Sequence, residues 1–148
     1  MKLMNDLNKV DGKTESKIIS FVESGNVKHD NQNLNEALAL YLDAWSLIPE
    51  PKLEREISNW VAACLYSAYF DLESYTTAKR WGEIALKTCS SAIDTSPMID
   101  LGMVCYELGQ YDEAIKYFDE AYSFGKKRAF QGRPKKYLDY YLKKRIEQ

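Results

Sequence analysis

The most reactive side chains in this sequence are one histidine, His29, and three cysteines, Cys64, Cys89 and Cys105. A lone imidazole excludes any site that needs two and leaves little for acid–base work at neutral pH. Its simpler reading is a polar residue at a helix end, with contact to a partner as the alternative. The cysteines are odd in number and lack C-x-x-C spacing, which argues against a disulfide framework and a zinc site. They read as small packing residues in a reducing compartment. The acid pairs Asp112/Glu113 and Asp119/Glu120 fall on a helix exterior, where solvation accounts for them. "GKT" at Gly12 to Thr14 has the ending of a phosphate-binding loop. Leu7 stands where that loop needs its first glycine, and no strand precedes it, so the triplet reads as a helix start. No G-x-S-x-G, H-E-x-x-H or G-x-G-x-x-G occurs. The residues point away from catalysis and call for no metal and no cofactor.

Charge is the stronger signal. The net charge of −2 hides an asymmetry: residues 1–125 carry 20 acids against 11 bases, and residues 126–148 carry 9 bases against 2 acids. No apolar run reaches the ~18 residues a membrane span needs, and the first 16 residues lack the apolar core of a secretory signal. The expected compartment is the cytoplasm, with no membrane contact.

Whatever these residues do, helices must position them. Apolar residues recur at spacings of three and four along the chain, and strand-like alternation is missing, so the fold class is all-α. The pattern predicts helices near 13–29, 33–47, 52–71, 75–88, 96–108, 111–124 and 134–145, with Pro49, Pro51, Pro97 and Pro134 at their ends. Short polar turns make consecutive helices antiparallel neighbours.

The paired helices repeat. "NLNEALALYLDA", "SYTTAKRWGEIA" and "QYDEAIKYFDEA" align without a gap, which puts Ala37/Ala44, Ala78/Ala85 and Ala114/Ala121 in register. Successive units stand 41 and then 36 residues apart. Alanines seven residues apart share one face of a helix, where a neighbouring helix must approach closely. Each unit resembles a tetratricopeptide repeat, whose period is about 34 residues. The third carries the family's Leu101–Gly102 pair, the turn Gly109-x-Tyr111, and the series Ala114, Phe118, Ala121. The second fits through its two alanines, Leu65, Tyr69 and Tyr75, but Tyr66 replaces the expected small residue. The first fits at Gly25, Ala37, Tyr41, Ala44 and Pro49 and departs at Ser24 and Lys28.

The resemblance implies an α-solenoid of three tetratricopeptide-like hairpins, at about 13–50, 52–90 and 95–125. A flexible N-terminus at 1–12 precedes them and a basic C-terminal capping helix at 126–148 follows. Tyr137, Leu138, Tyr141 and Leu142 form the apolar stripe of that cap, and its other side is basic. The basic side reads as a solvated face or one that also binds something acidic. Nucleic acid is a further alternative, against which the acidic body speaks.

In tetratricopeptide proteins the first helices of successive units line a concave groove. The resemblance therefore assigns Ile19, Val22, Asn26, His29 and Asp30 to that groove in the first unit. Trp60, Ala63, Ser67, Phe70 and Asp71 follow in the second, and Ser96, Ile99, Met103, Tyr106 and Glu107 in the third. Trp60, Phe70, Met103 and Tyr106 are the candidate anchors, with a core position the alternative for Trp60 and Tyr106, and Asp30, Asp71 and Glu107 make the groove acidic, which favours a basic protein partner. Clustered Lys, Arg and Asn are missing, so the groove does not resemble the carboxylate clamp of chaperone-binding relatives. Over roughly residues 30–145, the arrangement resembles small stand-alone bacterial tetratricopeptide proteins encoded beside polymorphic toxins of the Rhs or contact-dependent inhibition type. That resemblance implies an immunity protein that binds and neutralises a basic toxin domain. The alternative is a secretion chaperone or assembly adapter holding an extended peptide.

Overall fold

The computed structural model describes residues 9–91 and 93–147. They form seven α-helices and no strand among the described residues: α1 (Gly12–Asp30), α2 (Leu34–Leu47), α3 (Ile57–Asp71), α4 (Tyr75–Lys87), α5 (Ser96–Glu107), α6 (Tyr111–Gly125) and α7 (Lys135–Glu147). Two compact units result, Met1–Ser90 and Ser91–Gln148. The first holds the hairpins α1/α2 and α3/α4; the second holds α5/α6, a 3₁₀ segment at Lys126–Phe130, and α7.

The seams are built as the small residues require. Ala37, Ala44, Ala78, Ala114 and Ala121 are fully buried and Ala85 nearly so. Gly25 backs onto the ring of Tyr41 and Gly102 onto the ring of Phe118, so closely that even a methyl group at either glycine would enter the ring. Repeat register puts Tyr66 and Gly82 at the matching places of the middle hairpin, and both are buried. Large and small have exchanged helices there, which explains why Tyr66 departs from the repeat pattern without loss of packed volume.

Each hairpin turns through the same motif. The N–H of Asn33 donates to the carbonyl of Lys28 (2.8 Å), Ser74 to Tyr69 (2.9 Å) and Gln110 to Cys105 (2.8 Å), a Schellman closure of α1, α3 and α5. The residue before each donor takes a left-handed conformation: Gln32 at φ 65°, Glu73 at 62° and Gly109 at 77°. Only the third position is a glycine, which has no Cβ to clash there.

Three predicted boundaries change. The helix predicted from residue 52 begins at Ile57, because Lys52–Glu54 forms a separate 3₁₀ turn. That turn is tied back by the Lys52 ammonium, which donates to the carbonyls of Trp45 (2.9 Å) and Ile48, and by Arg55, which donates to the carbonyl of Glu50 (2.9 Å). The predicted cap over 126–148 is helical only from Lys135. Ahead of it, Gln131 (φ −60°, ψ 135°) and Gly132 (φ 81°) form a type II turn, closed by the Arg133 N–H on the Phe130 carbonyl at 3.1 Å. Of the N-terminus predicted to be flexible, residues 1–8 lie outside the described residues and 9–12 belong to the fold. Val10 is buried in the first unit's core. Asp11 caps α1 by accepting from the Thr14 N–H (3.1 Å), an interaction that lowers its carboxyl below the usual range.

The first unit's core gathers Ile18, Val22, Tyr41, Ile48, Val61 and Leu65, with Trp45 edge-on to Trp81 at 4.9 Å. In the second unit the ring of Phe118 lies 5.3 Å from Phe130, 6.2 Å from Tyr137 and 6.3 Å from Tyr141. Burying each such side chain stabilises the fold by about 1.5–3 kcal/mol.

Candidate functional site

In the first unit the predicted residues come from two neighbouring helices. Asn26, His29 and Asp30 lie in the last turns of α1, while Trp60 starts and Ser67, Phe70 and Asp71 end α3. His29 joins them: its Nε2 is 2.6 Å from the Asp71 carboxylate and its Nδ1 3.3 Å from the Tyr41 hydroxyl. That hydroxyl donates to Asn26 Oδ1 at 2.7 Å. Burial pushes the Tyr41 phenol well above its ordinary pKa, with the charges of Cys64 and Asp30 adding to the effect, so it stays a donor. Both ring nitrogens of the only histidine are thus held by other side chains of the unit.

Around this strut the face is open. Asp30, Ser67 and Asp71 are exposed, and Trp60 is 38% exposed although large aromatics are usually covered. Phe70 is half-buried, stacked on Tyr66 at 5.6 Å and edge-on to Tyr75 at 5.2 Å. Val22 is fully buried and serves the core.

A cavity of about 360 Å³ opens beside Trp60, between the starts of α1 and α3. Val10, Ile19, Ile57 and Trp60 give it apolar walls, and Glu15, Glu56 and Lys9 rim it. Ile19 and Trp60 were expected on this face. Glu15 and Glu56 were missed, yet each stands four residues before one of those two, so following the same helix face one turn back would have found them.

The second unit does not present the predicted surface. Ile99 is fully buried and Met103 is 5% exposed, so both are core rather than contact residues. Tyr106 is half-buried, its ring 5.6 Å from Tyr111, 5.5 Å from Tyr137 and 5.0 Å from Tyr140. Glu107 accepts from the Tyr137 hydroxyl (2.9 Å) and pairs with Lys136 (2.9 Å). For Tyr106 and Glu107 the physical reason is α7, whose aromatic and basic side chains pack against them. One turn before Met103, buried Asp100 pairs with Arg133. Burial raises the Asp100 carboxyl above the usual range and the Arg133 charge opposes that rise.

Two of the three cysteines, Cys64 and Cys105, sit in unreactive surroundings. Burial pushes the Cys64 thiol up to about 11, and Cys105 is buried with its Sγ 3.5 Å from the Glu113 carboxylate. No cluster of three metal-binding side chains occurs among the described residues. No helix among them is long and apolar enough to cross a membrane.

Residues 97–126, the hairpin α5/α6, match the Tetratricopeptide repeat family. No curated protein matches the sequence. Among solved structures, the chain is similar to the C-terminal tetratricopeptide-containing domain of a Plasmodium falciparum FK506-binding protein (17% identity, TM-score 0.71, covering 94% of this chain and 97% of that one). It is also similar to the first tetratricopeptide domain of Spaghetti (RPAP3) bound to the HSP90 peptide SRMEEVD (18%, 0.66, 90% and 94%). MamA is a third (20%, 0.65, 88% and 78%). The fold is that of tetratricopeptide proteins: all-α, with three repeated hairpins and a final helix. The α5/α6 hairpin is the unit with the fullest set of repeat residues, and it is the one the family match covers.

Proposed function

We propose that this chain is a non-enzymatic protein-binding scaffold, and that its first unit holds a basic protein partner on the face shared by α1 and α3. The observation that carries this reading is the cavity beside half-exposed Trp60 with Glu15 and Glu56 at its rim. An apolar side chain flanked by lysines or arginines fits there, with the aromatic anchor supplying contact area and the carboxylates supplying steering. Asp30 and Asp71 extend the negative face along the same two helices.

The finer reading is an immunity protein that binds and neutralises a toxin domain in the cytoplasm. Its support is the resemblance to small bacterial tetratricopeptide immunity proteins and the acidity of this face, since a nuclease toxin must be basic to hold nucleic acid. Co-purification with the product of the adjacent gene, and protection of cells from that product, are the expected results. Neither complex nor protection would end the immunity reading. Trp60→Ala together with Glu15→Lys and Glu56→Lys should slow association at low salt; an unchanged on-rate would move the interface off this face.

The peptide-bound state of the Spaghetti domain favours the second reading, a chaperone or adapter for an extended peptide. Binding of short basic peptides as tightly as the folded partner would select it.

A further inference from the structure

Part of the basic tail's charge is already matched by contacts within its own unit. Residues 126–148 carry nine lysines and arginines. Five of them are engaged within their own unit. Arg133 pairs with Asp100, and Lys136 with Glu107. Lys144 pairs with Glu147 and lies over the Tyr140 ring. Lys126 and Arg145 lie over the Tyr122 ring, at 5.4 and 4.6 Å from its centre. The four left over are Lys127, Arg128, Lys135 and Lys143, all exposed and with no carboxylate or ring partner among the described residues.

Three of those four converge. Lys127, Arg128 and Lys135 line one cavity of about 540 Å³, formed by the 3₁₀ segment, the type II turn and the start of α7. Its apolar lining comes from Phe130, Pro134 and Leu138. Among the described residues no carboxylate lines it, and the first turn of α7 holds no acid. The positive end of a 13-residue helix therefore adds to the three cations.

We infer that this cavity is a binding site for an acidic peptide segment, in which an apolar side chain enters between Phe130, Pro134 and Leu138 while flanking carboxylates meet Lys127, Arg128 and Lys135. A lone cavity with three free cations suits a short segment better than a polyanion. A nucleic acid strand or an anionic bilayer needs charge spread along a track or a plane, and of the remaining cations of this tail Arg133, Lys136 and Lys144 already face carboxylates. The site is separate from the face proposed for the basic partner, and neither reading depends on the other.

The test is a titration of the intact protein with a fluorescent peptide, Glu-Glu-Leu-Glu-Glu, and with its Gln-Gln-Leu-Gln-Gln counterpart. The acidic peptide should bind, its affinity should fall with salt, and the amide peptide should not bind. Arg128→Glu or Lys135→Glu should each weaken binding about tenfold. Lys143→Glu is the control, because it makes the same charge change at the one cation of the tail that lies outside the cavity and has no carboxylate or ring partner among the described residues, and it should leave affinity within about twofold. Leu138→Ser should weaken the leucine peptide but not an all-glutamate one. Equal losses from Lys143→Glu and Lys135→Glu would overturn the site, reducing it to general attraction. So would tighter binding of single-stranded RNA, or of phosphatidylserine vesicles, than of the acidic peptide.

Discussion

The two units use the same repeat positions in opposite ways. In the first, His29 and Phe70 share one position and are half-buried, while the next position, shared by Asp30 and Asp71, is exposed beside a histidine–carboxylate strut. In the second, the matching Tyr106 and Glu107 are consumed by α7 through ring contacts, a phenol hydrogen bond and an ion pair. A repeat position therefore defines where a side chain points, and the neighbouring element decides whether it can meet a partner. The seam shows the same freedom: Gly25/Tyr41 and Gly102/Phe118 put the small residue on the first helix, while Tyr66/Gly82 put it on the second.

The seam exchange gives the largest expected effect. Tyr66→Gly removes a side chain that is 2% exposed and should cost about 3–5 kcal/mol. Gly82→Phe alone should overpack the hairpin by about 1–3 kcal/mol. The double variant rebuilds the arrangement of the other two hairpins, so urea melts should show it more stable than Tyr66→Gly alone. A double variant whose losses simply add would mean the two positions do not share a seam.

Next comes the closure of the second unit. Arg133→Met leaves Asp100 buried without its counter-charge and should cost about 3 kcal/mol at neutral pH. The sign with pH follows from the direction of the shift. Asp100's folded pKa is already raised by burial, and loss of Arg133 raises it further. A group shifted upward stabilises the fold where it is protonated and withdraws that contribution as pH rises through its folded pKa. The deficit of Arg133→Met should therefore shrink as pH falls from neutral toward 4, read as the gap between variant and parent melting curves. A deficit that is constant with pH would assign the effect to lost packing alone. Tyr137→Phe probes the same closure more gently. It removes the hydroxyl that meets Glu107 and should cost about 1 kcal/mol without changing the core.

Much of this was legible in the sequence, for a local reason. The 3.6-residue period and the alanine register are properties of single helices and pairs, so helix order, seams and turns could be read directly. What was misread depends on longer reach. The start of α3 slipped because Lys52 and Arg55 hold a 3₁₀ turn against carbonyls at the end of the preceding hairpin, which no periodicity reports. Helix phase named Tyr106 and Glu107 as groove residues but could not show that α7 would pack against them. The same phase, followed one turn further back, leads to Glu15 and Glu56 and hence to the cavity beside Trp60.

The smallest effect isolates the turns, where the three hairpins share geometry but not residue type. Gln32 and Glu73 hold the left-handed conformation that Gly109 adopts without strain. A side chain with a Cβ is penalised there by roughly 1 kcal/mol, while glycine also widens the unfolded ensemble and gives part of that back. Gln32→Gly and Glu73→Gly should each stabilise the first unit by about 0.5 kcal/mol, and Gly109→Ala should destabilise the second by about 1 kcal/mol. Both glutamine and glutamate are exposed, so packing changes little and the difference reports the backbone. Thermal melts of the three variants would separate the explanations: destabilisation by the first two would mean that their side chains hold the turns, and the Schellman hydrogen bonds alone would not account for the hairpins.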